Sequence, residues 1–226
     1  MRVLVYNVRG FRDGRDRVAA VVRRLSPDVI LMTESDGRLR LGRFARSVGM
    51  RACADPWSPL RRRVKNAVLV RPPWEVLEHR LVRFTGSERF YPRGALLARL
   101  QGPDLRAWAV AVHLGLRPRE RRRHVRELLL AVRGLEDPQV VGGDLNERPD
   151  GRAVTALTER LDDAWTLGGD AAGETFPAAE PTARIDYLFV SPGVRVERAI
   201  VPPIPDVRVA SDHRPVLADL SLPTPG

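Results

Sequence analysis

Cysteine is nearly missing from this chain. Cys53 stands alone among 226 residues, so an intrachain disulfide and a cysteine-built zinc site are both excluded. Long apolar runs are missing too: no charge-free stretch approaches about 18 residues, which points to a soluble globular protein with a sizeable core. The opening MRVLVYNVRG has a lone Arg and an apolar stretch too short for a signal peptide, with no small-residue cleavage site behind it. A cytoplasmic location and no membrane anchor are expected. There is no internal repeat, no low-complexity segment and no linker long enough to divide domains. One domain over 1–222 is expected, with a short tail at 223–226. Lysine is the last scarcity: of 38 basic residues only Lys65 is one, a skew that codon bias in a GC-rich genome produces. Whatever its origin, the net charge of +10 permits a polyanionic partner.

What is present is a series of short apolar strand candidates. RVLVYN (2–7) and the buried run DVILMTE (28–34) read as strands. Between them Val18, Val21, Val22 and Leu25 recur at helical spacing until Ser26-Pro27 stops the run. Leu41, Phe44, Ala45 and Val48 mark a second helix, closed by Gly49. The texture then turns to strands at 66–70, 75–83, 94–100 and 106–112, joined by loops rich in Pro, Gly and Arg. A third helix follows Pro118, with Val125, Leu128, Leu129 and Val132 facing inward and Arg119, Arg122, Arg126 and Arg133 outward. A strand at 139–142, a helix near 153–161 and strands at 185–190, 194–200 and 215–220 follow. Helix-crossed and hairpin-linked strands in one chain predict an α/β protein, with mixed sheets packed face to face and helices outside.

Polar residues fall at the ends of these strands. Asn7 ends the first, Glu34 the second, His113 the strand AWAVAVH, and Asp144 the strand before the Gly-Gly pair. Near the C-terminus the order reverses, because Asp186 opens IDYLFV and Asp212-His213 precede PVLADL. If the two sets of strands run antiparallel, all these groups share one rim. Alone, each has an ordinary reading: a turn residue for Asn7, a helix cap for Glu34, an Asx-turn for Asp144 and Asn146, a half-buried histidine for His113. Together they make a hard-oxygen environment suited to Mg²⁺ or Mn²⁺. The histidines add a group that titrates near neutral pH. Metal, base and a basic surface favour phosphoryl-ester hydrolysis.

The ordered series YNVRG, LMTE, RGALLARL, VAVHL, VVGGDLN, TFP…RIDYLFVS and SDHRPV resembles the endonuclease/exonuclease/phosphatase superfamily with the deoxyribonuclease-I-like fold. GGDLN, RIDYLFVS and SDHRPV are its most specific parts. The resemblance implies a four-layer α/β sandwich, two mixed sheets with helices outside, and a Mg²⁺ cofactor that Mn²⁺ can replace. It implies that Glu34 is the main metal ligand, with Asn7 and Asp212 completing or supporting the site. His213, oriented by Asp186, becomes a base or a phosphate-polarising cation. Asp144 positions or deprotonates the attacking water, Asn146 hydrogen-bonds the phosphate or nucleophile, and His113 stabilises a phosphoryl oxygen or assists the leaving group. Two features depart from the family pattern. Thr33 stands where many members carry Gln, and the extra motifs of the abasic-site repair branch are missing.

Arg93 occupies a position where many relatives place an Arg, open to a phosphate contact or to solvent. Phe176 is a wall of the site or a packing residue. RRRVK (61–65) tracks a nucleic-acid backbone or is merely solvated. Trp57, Trp74, Trp108 and Trp165 are too scattered for a stacking platform and read as packing residues. The expected function is a Mg²⁺-dependent phosphodiesterase acting on nucleic acid, with no obligatory protein partner. A phosphatase or phospholipid phosphodiesterase of the same superfamily is the alternative, and a catalytically silent nucleic-acid-binding protein is a third reading.

Overall fold

Strands buried on both faces must be apolar along their interior, and that is how residues 3–6 of β1 (Arg2–Asn7) and 29–32 of β2 (Val29–Thr33) are built. In the computed structural model, which describes residues 1–55, 63–87, 91–170 and 173–223, alternate side chains of each strand enter different cores. Val3, Val5, Val29 and Leu31 point between two sheets and meet Leu96, Ala98, Ala111, Val140 and Leu188. Leu4, Tyr6, Ile30 and Met32 point the other way, under α1 (Arg15–Leu25) and α2 (Arg38–Ser47), against Val18, Val22, Leu41 and Phe44. A third core lies beneath α3 (Pro118–Val132) and α4 (Arg152–Thr158), where Val125, Leu128, Val154 and Leu157 cover Leu97, Val110, Val112 and Phe189. Helix, sheet, sheet and helix therefore stack in four layers, as the sequence predicts.

The remaining strands are β3 (Arg51–Ala54), β4 (Ala67–Val70), β5 (Glu75–Arg83), β6 (Gly94–Gln101), β7 (Arg106–His113), β8 (Gln139–Asp144), β9 (Asp162–Asp163), β10 (Asp186–Val190), β11 (Arg195–Ile200) and β12 (Val216–Ser221). One six-stranded sheet has the order β11-β12-β1-β2-β4-β3 and the other β5-β6-β7-β8-β10-β9. Each is antiparallel except for one central pair, β1 with β2 and β7 with β8. The two C-terminal strands run against their neighbours, β10 against β8 and β12 against β1. That is the condition under which the strand-end and strand-start polar residues meet.

The structure corrects the sequence reading in several places. The helix expected near 153–161 stops at Thr158, and residues 162–163 instead pair with β10. Asp163 then starts a new helix, α5 (Ala164–Gly168), by accepting the Trp165 N–H at 3.0 Å. Strand β3 was not expected, since RACA has no apolar run; it is an edge strand paired only with β4. Leu129 is half-buried, and His124 takes the fully buried place on α3. Arg122 is also half-buried, whereas Arg119, Arg126 and Arg133 are exposed as expected. Trp74 and Trp108 are buried, and Trp165 packs against the inter-sheet core. Trp57, Arg61 and Arg62 lie outside the described residues.

The glycine pair in VVGGDLN has a steric cause. A Cβ at Gly143 would stand 1.8 Å from the Val112 carbonyl oxygen, and its φ of +154° lies in a region that side chains rarely adopt. Strand β8 thus threads between β7 and β10 only without side chains there. Gly143→Ala is expected to cost about 3 kcal/mol or more, because overpacking against backbone and a strained φ act together. Gly42→Ala, on α2 with only the Arg46 side chain within 4 Å of the added Cβ, is the control and should gain about 0.5–1 kcal/mol. Urea denaturation of both variants checks the contrast, and equal stabilities would refute it.

His124 carries a pH dependence. Its Nδ1 accepts the Gly115 N–H at 3.1 Å and its Nε2 lies 3.2 Å from the Thr85 carbonyl, so the ring is held as a neutral tautomer. Burial pushes its pKa below the ordinary 6.5. The unfolded chain therefore takes up a proton near pH 6.5 that the folded chain resists, and stability falls as pH drops below that value. One proton limits the slope to about 1.4 kcal/mol per pH unit. Between pH 7 and 5 the wild type should lose stability more steeply than His124→Gln, and parallel pH profiles would show that His124 is not responsible.

Candidate active site

Register brings the polar strand ends together. His113, Asp144 and Asp186 are direct lateral neighbours on β7, β8 and β10 at the end of one sheet. The other sheet supplies Asn7 at the end of β1 and Glu34 just beyond β2, with Asp212-His213 leading into β12 beside them.

Asp144 is the hub. Its Oδ2 accepts the Asn7 amide at 3.0 Å, joining the two sheets, and lies 3.3 Å from His113 Nε2 and 3.8 Å from His213 Nε2. Its Oδ1 accepts the Asn146 backbone N–H at 2.9 Å. The carboxylate is 2 % exposed. Burial opposes its charge, but His113 and then His213 outweigh that cost and hold it below the ordinary carboxylate range. His213 Nδ1 sits 2.8 Å from Asp186 Oδ2. Burial resists a charge on this ring, but Asp186, then Asp144 and Asp212, push its pKa up to about 10. Both ring nitrogens of His213 thus face carboxylates, an arrangement that favours the imidazolium.

The other expected residues lie close by. Asn146 Nδ2 is 3.3 Å from His113 Nε2 and donates to the Leu114 carbonyl at 3.1 Å. Arg93 Nη1 contacts both ring nitrogens of His113, Nδ1 at 2.7 Å, so it is tied to the cluster rather than free in solvent. The Phe176 ring packs 4.9 Å from the His213 ring at a tilt of 47°. Asp212 pairs with Arg9 at 3.2 Å.

Among the described residues, only Asp144, Asp186 and His213 form a group of acidic or histidine ligand atoms within 4.8 Å of one another. The His213 imidazole faces both carboxylates and so offsets part of their negative charge. Of the three residues expected to hold a metal, Asn7 is engaged at both ends of its amide, giving its N–H to Asp144 and accepting the Arg9 N–H at 3.0 Å. Glu34 is different. Its carboxylate has no hydrogen bond or ion pair among the described residues, while its backbone carbonyl is locked by the Gly10 N–H at 2.8 Å. An unengaged carboxylate, with Asp212 and the Asn7 oxygen nearby in the fold and no sulfur ligand, is a donor set that fits a hard divalent cation.

Backbone strain marks the same region. Among the described residues, five non-glycine residues have positive φ: Arg9, Phe11, Ser26, Glu34 and Asn146. Ser26 merely caps α1 and Phe11 packs against Phe44 in the core, while Arg9, Glu34 and Asn146 lie at the rim. Arg9 went unnoticed in the sequence, although the RG that follows β1 was its signal. Thr175 was quoted only as part of TFP. It is fully buried, and its hydroxyl donates to Asp186 Oδ2 at 2.6 Å while its oxygen receives the Ile185 and Asp186 N–H groups at 3.3 Å. Ser211 gives its hydroxyl to the Asn7 carbonyl at 2.7 Å and was likewise missed. Thr175 orients Asp186, so Thr175→Val should lower turnover about 10-fold with an unchanged fold, and Thr175→Ser should restore it. A Thr175→Val enzyme with full turnover would remove it from the chain Thr175–Asp186–His213.

A cavity of about 520 Å³ opens beside this cluster, lined by Glu34 and His113 and by Arg9, Arg12, Arg63, Lys65, Arg93 and Arg117. The RRRVK run is therefore not a uniformly solvated stretch, because Arg63 is 3 % exposed and Val64 is buried. No helix among the described residues is long and apolar enough to cross a membrane.

A family model, the Endonuclease/Exonuclease/phosphatase family, matches residues 4–213. No curated protein matches the chain at a significant level. Among solved structures, an endonuclease/exonuclease/phosphatase from Bacteroides vulgatus is 21 % identical with a TM-score of 0.82, the alignment covering 98 % of each chain. A mannosyl-6-phosphatase of Bacteroides thetaiotaomicron is 19 % identical with a TM-score of 0.79, covering 98 % of this chain and 100 % of that one. D. rerio TDP2, in complex with a single-strand DNA product, is 17 % identical with a TM-score of 0.80 over 98 % of both chains. At these identities the likeness is one of fold.

Proposed function

The chain belongs to the endonuclease/exonuclease/phosphatase family and is a phosphoester hydrolase, and from that premise we propose that it is a Mg²⁺-dependent phosphodiesterase acting on nucleic acid. The observation that carries this reading is the Asp144 hub, where one buried carboxylate from β8 is held by Asn7, His113, Asn146 and, at longer range, His213. Asp144 orients the attacking water and draws off its proton. His213, kept facing it by Asp186, presents positive charge to the phosphoryl oxygens. His113 and Asn146 contact the same oxygens or the leaving group, and Arg93 holds His113 in place. Glu34, supported by Asp212 and Asn7, would hold the metal. When bound, the ion neutralises charge that develops on the phosphate.

The basic cavity and the net charge of +10 support a polyanionic substrate. The D. rerio protein bound to single-strand DNA on this fold supports it as well. The cavity's size also supports a second reading, a phosphatase of small phosphorylated molecules, in line with the mannosyl-6-phosphatase on the same fold. Pure protein with Mg²⁺, offered supercoiled plasmid, hexose 6-phosphate and anionic liposomes in parallel, separates the readings. Nicked plasmid supports the nuclease. Phosphate release from the sugar alone supports the phosphatase, and turnover of lipid alone would overturn both.

A further inference from the structure

We propose, on the reading that this site hydrolyses phosphoesters, that the cavity beside Glu34 is a subsite for a second phosphate of the same substrate, gripped by Arg63 and Lys65. Arg63 lines the cavity and is 3 % exposed, and among the described residues its Nε and Nη2 meet no hydrogen-bond acceptor. Those two donors form one edge of the guanidinium, the edge that grips two oxygens at once. The chain itself shows the completed version: Arg2 uses Nε and Nη2 on the two oxygens of Asp219, at 2.8 and 3.2 Å. Asp55 is the largest source of compensating charge for Arg63, ahead of Asp36 and against Arg38, but its Oδ2 already accepts the Val64 N–H at 3.2 Å and pairs with Arg83. A buried guanidinium edge with no acceptor is costly unless an anion completes it.

Lys65 stands two residues on, tied to the metal-holding segment by its carbonyl, which accepts the Ser35 N–H at 2.7 Å. Its ammonium has no acceptor among the described residues. It is the one compact cation in a chain that uses arginine at every other basic position. Tyr91 and Leu116, both largely exposed, line the same cavity and offer apolar surface to a sugar or base ring. Arg63 buried in the wall, Lys65 exposed beside it and apolar side chains facing solvent fit a ring that carries a phosphate. The substrate class is therefore a phosphoester that carries a second phosphate, either a phosphorylated strand end or a small sugar bisphosphate.

Binding in EDTA, where turnover is stopped, tests the subsite independently of the chemistry. Calorimetry compares a 5′-phosphorylated with a 5′-hydroxyl dinucleotide, and hexose 1,6-bisphosphate with hexose 6-phosphate, on wild type, Lys65→Met and Arg63→Met. The second phosphate should tighten binding to wild type about 10-fold in one arm, as a charge-assisted contact does, and that arm identifies the source. In Lys65→Met, and in Arg63→Met if it melts like wild type, the advantage should shrink below about 3-fold. Equal affinity with and without the second phosphate in both arms, or an advantage that survives Lys65→Met, overturns the subsite. Separate assays in Mg²⁺ judge the phosphoesterase reading: retained tightening without any turnover would sink that reading and leave the subsite standing.

Discussion

His213→Ala should lower turnover about 10³-fold, within the range expected for a positioned acid–base or cationic group, while the protein still folds. His213 is 6 % exposed at the rim and its removal leaves a polar gap rather than an apolar void in the cores. The sharper part of the expectation concerns Asp186. Its Oδ2 serves His213 at 2.8 Å and Thr175 at 2.6 Å, and its buried Oδ1 has no hydrogen-bond partner among the described residues. Asp186→Asn alone should cost about 10²-fold, yet adding it to His213→Ala should cost little more, because residues that act as a unit are not additive. Steady-state kinetics on the four members of this cycle measure the coupling. Two losses that multiply in full would mean that Asp186 acts on substrate or metal directly.

Glu34→Ala should lower the rate at least 10²-fold and raise the Mg²⁺ concentration for half-maximal activity at least about 10-fold. The argument is structural. The backbone at Glu34 is strained, with φ +53°, and is pinned on both sides, by Gly10 at its own carbonyl and by Lys65 at the next N–H. Such a residue is held in place for its side chain, and that side chain bonds to nothing in the described chain. Glu34→Gln keeps the shape and removes the charge, so it should share the defect in Mg²⁺ dependence. A Mg²⁺ curve of wild-type shape in either variant would reassign the metal, with the Asp144–Asp186–His213 group as the next place to look.

Much of the fold and of the site is legible in the sequence. Strands such as VILMT and AWAVAVH are apolar at nearly every position because both faces are covered, and that pattern stands out without alternation. Asn7, Asp144, Asp186 and His213 were legible because sheet register turns strand-end position into proximity. Three kinds of feature were not. Edge strand β3 and the two-residue β9 have too few side chains to carry a pattern. Thr175 and Ser211 act by one hydroxyl each, and Ser or Thr in a loop is ordinary composition. The burial of Arg63 and its unpartnered edge are tertiary facts, and no local spacing in RRRVK distinguishes Arg63 from the arginines before it. His124 was hidden for the same reason, a polar residue on the buried face of an otherwise regular amphipathic helix.

The most direct test of the account is the metal dependence of phosphodiester hydrolysis by the intact chain. Wild-type protein stripped with EDTA should leave supercoiled plasmid and a simple aryl phosphodiester untouched. Added Mg²⁺ should restore hydrolysis along a saturable curve, with Mn²⁺ able to substitute. Hydrolysis that persists unchanged in EDTA, or none in Mg²⁺ or Mn²⁺ from a folded preparation, would contradict a metal-assisted reaction centred on Asp144.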